Sequence, residues 1–225
     1  MTEPDQRAES LPWPSVQSAP APVYPVILRL TGKRCLVVGG GHVASRKAAG
    51  LLAAGAEVHV VASGIGADMR AVEGLASVER RPYRRGEAAG YWLVIAATGD
   101  PVANRAVFDD GEAGGVWVNS ADDPENCSFL LPAIARQGPV TVAVSTSGYS
   151  PALASWLKEQ FQAEMGPELA ELAELLAEAR AALKADGRST EAIDWRPILG
   201  SDMLDLIRQG RRTEAKERLQ ACLLP

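Results

Sequence analysis

Arg34-Cys35-Leu36-Val37-Val38-Gly39-Gly40-Gly41-His42-Val43-Ala44-Ser45-Arg46-Lys47 decides the fold of this 225-residue chain. A short apolar run rich in β-branched residues ends in three glycines, and a helical pattern follows at once. The stretch reads as strand, tight turn and helix start, and it fits G-x-G-x-x-A as Gly39, Gly41 and Ala44. Gly39 lets the chain turn sharply, Gly41 lets the backbone approach a pyrophosphate without a Cβ in the way, and Ala44 lets the helix pack close to the strand. The free N–H groups and positive dipole end of that helix then face the phosphates. The helical pattern runs on through Leu51, Leu52 and Ala54, and Gly55 suits the position just past its end. Glu57–Ala62 (EVHVVA) reads as a second strand, which completes a βαβ unit of about 30 residues. This context favours dinucleotide binding over a purely structural glycine turn.

Working outward, Tyr24–Leu30 precedes the first strand, with Thr31-Gly32 as a turn. Downstream, Ser77–Arg81, Tyr91–Thr98 and Val116–Asn119 read as further strands, and Asp100-Pro101 opens a helix through Val107. Strands alternating with helices imply a parallel sheet covered on both faces. The pattern changes after Asp122. Ser128–Arg136 and Pro139–Thr146 read as strands joined by Gln137-Gly138, a β-hairpin. From Pro151 the chain is helical. Leu169, Leu172, Leu176, Ala179 and Leu183 form one apolar stripe, Asp186-Gly187 breaks that helix, and two short helices follow near Asp202–Arg208 and Thr213–Leu223.

The fold class is therefore α/β. Residues 1–22 form a disordered Pro-rich tail, 23–124 a Rossmann nucleotide-binding domain, 125–165 a hairpin dimerisation module and 166–225 a C-terminal helical region.

A net charge of −5 argues against nucleic acid, whose phosphates need a basic face. No apolar stretch approaches the ~20 residues of a membrane span, and the N-terminus lacks a signal-peptide pattern. Cys35, Cys127 and Cys222 are far apart, and the two histidines are His42 and His59, so no resident metal site is expected. Unpaired cysteines and the missing leader point to the cytoplasm.

Three loops follow strand ends and should converge on one crevice: Gly39–Val43, Ala97–Asp100 and Asn119–Asp122. Asp122 is the candidate acid/base there, against a plain turn carboxylate such as Asp123. Val144–Pro151 is dense in hydroxyls and N–H groups, which suits either carboxylate binding or a helix cap at Ser150. The end of the second strand, Ala62-Ser63, carries neither the acid usual for a NAD ribose nor an Arg for a 2′-phosphate. Ser63 or backbone groups could serve the ribose, so this position does not settle NAD against NADP, and the expectation of NAD rests on the lack of a basic residue after the strand.

Taken together, five segments in order resemble the precorrin-2 dehydrogenase family, which includes the N-terminal module of siroheme synthases. They are Gly39–Lys47, Ala96-Ala97-Thr98, Asn119-Ser120-Ala121-Asp122, Ser128-Phe129-Leu130-Leu131-Pro132 and Val142–Pro151, within a resemblance over about residues 24–165. The resemblance implies NAD-dependent oxidation of precorrin-2 to sirohydrochlorin, in siroheme synthesis. It also implies a homodimer held through the hairpin region and, in some members, insertion of ferrous iron. The family's key aspartate falls on Asp122. A serine phosphorylated in some members falls on Thr146, so that regulation is in doubt here. The methyltransferase domain of some relatives has no counterpart before Pro225.

On this reading Gly39, Gly40, Gly41, His42, Val43, Ala62, Ser63 and Thr98 hold the cofactor. Asn119, Ser145, Thr146, Ser147 and Gly148 hold a tetrapyrrole rich in carboxylates. Arg46, Lys47, Arg136 and Lys158 are the cations available to those carboxylates. A dehydrogenase for another small substrate and a non-catalytic NAD(H) sensor are the rival readings. The hydroxyl and Asp122 loops speak against the sensor.

Overall fold

The computed structural model describes residues 22–191, 193–200 and 202–223. Apart from Pro22, the Pro-rich tail lies outside them. The glycine-terminated strand β1 (Arg34–Val38) is the centre of a five-stranded parallel sheet with β2 (Glu57–Ala62), β3 (Ser77–Arg80), β4 (Leu93–Ala96) and β5 (Trp117–Ser120), in the order β3-β2-β1-β4-β5. The order reverses beside β1, which opens a crevice at the carboxyl ends of β1 and β4.

Helix α1 (His42–Ala53) packs Ala44, Ala48 and Leu51 onto one face, in a cluster with Cys35, Val37, Val58, Val60, Leu93 and Ile95. On the other face, Leu36, Val38, Val94, Ala96 and Val118 pack with Val107 of α3 (Pro101–Gly114). Asp100 caps α3 by accepting from the Val102 N–H, with Pro101 at the first helical position. A short helix α2 (Ala67–Arg70) lies between β2 and β3.

The antiparallel hairpin is β6 (Ala133–Gln137) with β7 (Val140–Val144), turned at Gly138-Pro139. The first hairpin strand begins at Ala133, not Ser128. Residues 128–132 run instead as a non-ladder segment tied back to the sheet: the Ser128 N–H donates to the Val118 carbonyl, and the Asn119 Nδ2 donates to the Phe129 carbonyl. Pro132 has no N–H to offer a ladder, so pairing starts after it. Helix α4 (Pro151–Glu164) lies against the hairpin, its Gln162 side chain bonded to both main-chain groups of Arg136.

Helix α5 (Glu168–Ala185) carries the leucine stripe. It forms a separate core with α6 (Arg196–Leu199), α7 (Met203–Arg208) and α8 (Arg212–Leu223), built from Leu172, Leu175, Leu183, Met203, Leu206 and Leu219. An ion pair from Arg208 to Glu168 ties α7 to the start of α5.

Candidate active site

The glycine turn comes first because the rest is built around it. Gly39 has φ +130°, and a Cβ there would collide with the Ala97 carbonyl at the end of β4. A Cβ at Gly40 would collide with the Gly64 carbonyl after β2. The turn is thus wedged between two neighbouring strand ends, and Gly40, which the motif treats as a free position, has as little room for a Cβ as Gly39. Gly41 differs: open space surrounds the position of its missing Cβ. It is the N-cap of α1, and no side chain caps that helix. The first N–H groups of α1 therefore open onto an unfilled space fit for a pyrophosphate.

His42 and Val43 start the helix. His42 is exposed and paired with Asp68 at 2.8 Å, whereas Val43 faces a cleft. Ala62 and Ser63 close β2 with no charged side chain at either position. The Thr98 hydroxyl is committed to the Asp100 carbonyl and the Asn104 Oδ1, at 2.9 and 2.7 Å, so this residue offers a fixed loop shape.

The cleft, of about 610 Å³, runs from α1 past the end of β5 to the hairpin and the start of α4. It brings together Asn119, Asp122, Ser145, Thr146 and Gly148 with Val43, Arg46 and Lys47. Ser147 stands in the same loop but not on the cleft wall. Arg136 and Lys158 are not on it either: Arg136 lies on β6, and Lys158 pairs with Glu159 at 3.6 Å. Leu130, Leu131 and Pro132 add an apolar wall from the segment misread as strand.

Two non-glycine residues among those described have positive φ, Asp122 at 60° and Ser147 at 51°, and they sit in the two loops flanking this cleft. Such backbone costs of order 1 kcal/mol and persists where the surroundings impose it. The surroundings at Asp122 are visible. The Cys127 thiol accepts from the Ser120 N–H at 3.2 Å and reaches the Ser120 and Asp123 carbonyls at 3.3 and 3.2 Å. Asp123 is bonded to the Asn126 Nδ2 at 2.6 Å. The Asp122 carboxylate has no hydrogen-bond or ion-pair partner among the described residues. The two adjacent aspartates are thus separated by environment: Asp123 pins the loop and Asp122 is left free.

Asn119 also holds the loop, through Phe129 and the Cys127 sulfur. Thr146 exchanges bonds with the Ser150 main chain, both at 3.0 Å, and Ser150 caps α4 at the Leu153 N–H. The hydroxyls of the 145–150 loop therefore mostly shape it. What they leave open are the Thr146 and Gly148 N–H groups, which have no partner among the described residues.

Lys47 is half-buried near Asp122. Desolvation and then the neighbouring Arg46 lower its pKa below the ordinary lysine range, while Asp122 and Cys127 act in the opposite sense. Burial pushes the Cys127 thiol up. Cys127 had no sequence signal as a site residue, because nothing in its spacing reports that a thiol bonds backbone groups four to seven residues earlier. Among the described residues, no three His, Cys, Asp or Glu side chains gather as for a metal ion.

A family model described as putative NAD(P)-binding matches residues 26–133, and one described as sirohaem biosynthesis protein central matches residues 137–164. The chain belongs to the siroheme synthase N-terminal, precorrin-2 dehydrogenase family. Siroheme synthase of Nitrosococcus oceani is 37% identical over 203 residues, covering 88% of this chain and 43% of the relative. Siroheme synthase of Azotobacter vinelandii is 37% identical over 204 residues, covering 88% and 44%. The chain spans less than half the length of these relatives. A solved structure named SirC, precorrin-2 dehydrogenase, superimposes with a TM-score of 0.64 at 26% identity, over 89% of this chain and 98% of that one. The glycine turn and the five-stranded sheet lie within the NAD(P)-binding match, and β7 with α4 lies within the sirohaem central match. Among the described residues no helix is long and apolar enough to cross a membrane.

Proposed function

We propose that the chain is a NAD-dependent precorrin-2 dehydrogenase that forms sirohydrochlorin in siroheme synthesis. The observation that carries this reading is the free Asp122 carboxylate, held on left-handed backbone between an open glycine turn and a cleft with an apolar wall. Oxidation takes a hydride and a proton from the substrate. When bound, the nicotinamide of NAD supplies the hydride acceptor. The chain supplies the rest. The α1 N–H groups and the space at Gly41 hold the pyrophosphate. Asp122 takes the proton as general base, a role worth ~10²–10⁴-fold in rate. Leu130, Leu131 and Pro132 cover the apolar macrocycle, and the Thr146 and Gly148 N–H groups face its carboxylates.

NAD is favoured over NADP because Ala62-Ser63 carries no cation, and Arg70, from the following helix, is turned onto the Ile65 carbonyl. A homodimer through residues 125–165 completes the reading, with nucleotide binding in 23–124 and a helical region in 166–225. Ferrous iron enters as a second substrate in those members that insert it, and Asp122 is then the one free carboxylate of the cleft placed to accept the displaced protons.

The test is anaerobic precorrin-2 with NAD, followed by ferrous iron, read by absorbance. Formation of NADH and sirohydrochlorin is expected. A folded chain that binds NADH yet turns over no precorrin-2 would make it a sensor or another dehydrogenase.

A further inference from the structure

Residues Val43, Arg46 and Lys47 are spaced three and four apart, so they share one face of α1, and that face forms a wall of the cleft. Cations are poorly placed in the opening turns of a helix, where the macrodipole is already positive. Here the first turn holds no acidic residue at all, and neither Arg46 nor Lys47 forms an ion pair among the described residues. Lys47 is moreover half-buried, so it gives up hydration without gaining a partner. Opposite, Asp122 is not within ion-pair distance of it. On the adjoining wall Ser120, 3% exposed, has a hydroxyl with no partner. In a chain of net charge −5, two cations and an unpartnered hydroxyl thus line one cleft, and neither Asp122 nor Asp123 on the same cleft is ion-paired with either cation.

We propose that Lys47, flanked by Arg46, is the seat of a ligand carboxylate in this cleft, and that this pairing sets which edge of the ligand lies at Asp122. The assignment rests on the tetrapyrrole reading above and narrows it: of the four cations considered from sequence, Arg46 and Lys47 are the pair on the cleft wall, and Lys47 is the half-buried one. The missing partner of Lys47 is then the substrate's own carboxylate. Pairing offsets the desolvation that the free enzyme sustains. Lys47 acts here as a binding and orienting group, with proton transfer left to Asp122.

The experiment uses the full chain, with sirohydrochlorin as the probe under anaerobic conditions, followed by steady-state oxidation of precorrin-2. Variants are Lys47→Met, Lys47→Gln and Lys47→Arg. A charge-assisted hydrogen bond lost from such a site weakens binding ~10- to 100-fold. Lys47→Met and Lys47→Gln should therefore weaken sirohydrochlorin by that factor and raise KM more than they lower kcat. NAD affinity should stay as in wild type. Lys47→Arg should keep most of the binding, and the methyl-ester form of sirohydrochlorin should bind wild type and Lys47→Met alike. Thermal unfolding of Lys47→Met should be no earlier than wild type, because an unpaired, half-buried cation has been removed. Unchanged sirohydrochlorin affinity in both neutral variants, with wild type active, overturns the Lys47 assignment alone. An ester that distinguishes wild type from Lys47→Met as strongly as the free acid does so too, since packing would then explain the loss. A wild type that neither binds sirohydrochlorin nor oxidises precorrin-2 overturns the functional reading and this inference together.

Discussion

The parallel sheet and the hairpin module handle their apolar residues in opposite ways. In the sheet, β1 and β4 are buried almost end to end, and each face has its own packed cluster. In the hairpin with α4, only Ala135 and Ala154 are fully buried, while Ile134, Leu153, Trp156 and Phe161 stand exposed, Trp156 by 55%. A two-stranded hairpin is marginal in water without a surface to pack on. One region is therefore complete within the chain, and the other leaves apolar side chains exposed, on the face where the proposed dimer would form. The cleft lies along the seam between them, so its walls belong partly to a finished core and partly to a surface awaiting cover.

The strongest probe of that seam is Asp122→Asn. Asn tolerates left-handed backbone, so the loop should keep its shape while the base is lost. Precorrin-2 oxidation should fall ~10²–10⁴-fold with NAD affinity and melting temperature unchanged. Asp123→Asn should be far milder in rate; equal losses at both positions would mean the carboxylates act only through the loop.

On the finished side, Gly40→Ala places a methyl against the Gly64 carbonyl and should destabilise by about 3 kcal/mol in denaturant unfolding. On the unfinished side, the double change Leu153→Glu with Trp156→Glu should convert a dimer to a monomer in light scattering. Its effect on the unfolding of the isolated chain should stay within about 0.5 kcal/mol per site. If the glutamates unfold the chain as Gly40→Ala does, the two regions are not different in kind and the contrast fails.

The smallest effect is at Cys35, which burial in β1 pushes up to about 11 from an ordinary value of 9.0. Below pH 9 the thiol is protonated folded or unfolded. Above it, the unfolded chain releases the proton first, so this site's contribution to stability falls as pH rises from about 9 towards 11. Cys35→Ala should flatten that slope. In the native protein, exposed Cys222 should react with iodoacetamide well before Cys35.

The sequence made the finished region readable because period and chemistry agree there. Glu57–Ala62 ends where its β-branched run ends, and Asp100-Pro101 signals a helix start that has one geometry. The five-segment resemblance carried the family. Residues 128–132 misled for the converse reason. Phe129, Leu130 and Leu131 have strand composition, yet the Phe129 carbonyl accepts from the Asn119 side chain and the preceding Ser128 bonds to β5, contacts that no local pattern encodes. Gly40 was hidden for a similar reason. Its constraint comes from Gly64, which lies 24 residues on and is brought close only by the sheet.

The left-handed backbone at Asp122 has a consequence for how this protein can drift. Few side chains are at home at such a position, chiefly glycine, asparagine and aspartate. Two of these three lack the carboxylate yet fit the loop at least as well. With Asp122 as the base proposed above, a single replacement at 122 would yield a folded, nucleotide-binding chain that has lost most of its catalysis, and selection on stability would not remove it. On the proposed role of Asp122, a pseudoenzyme lies one substitution away from this chain.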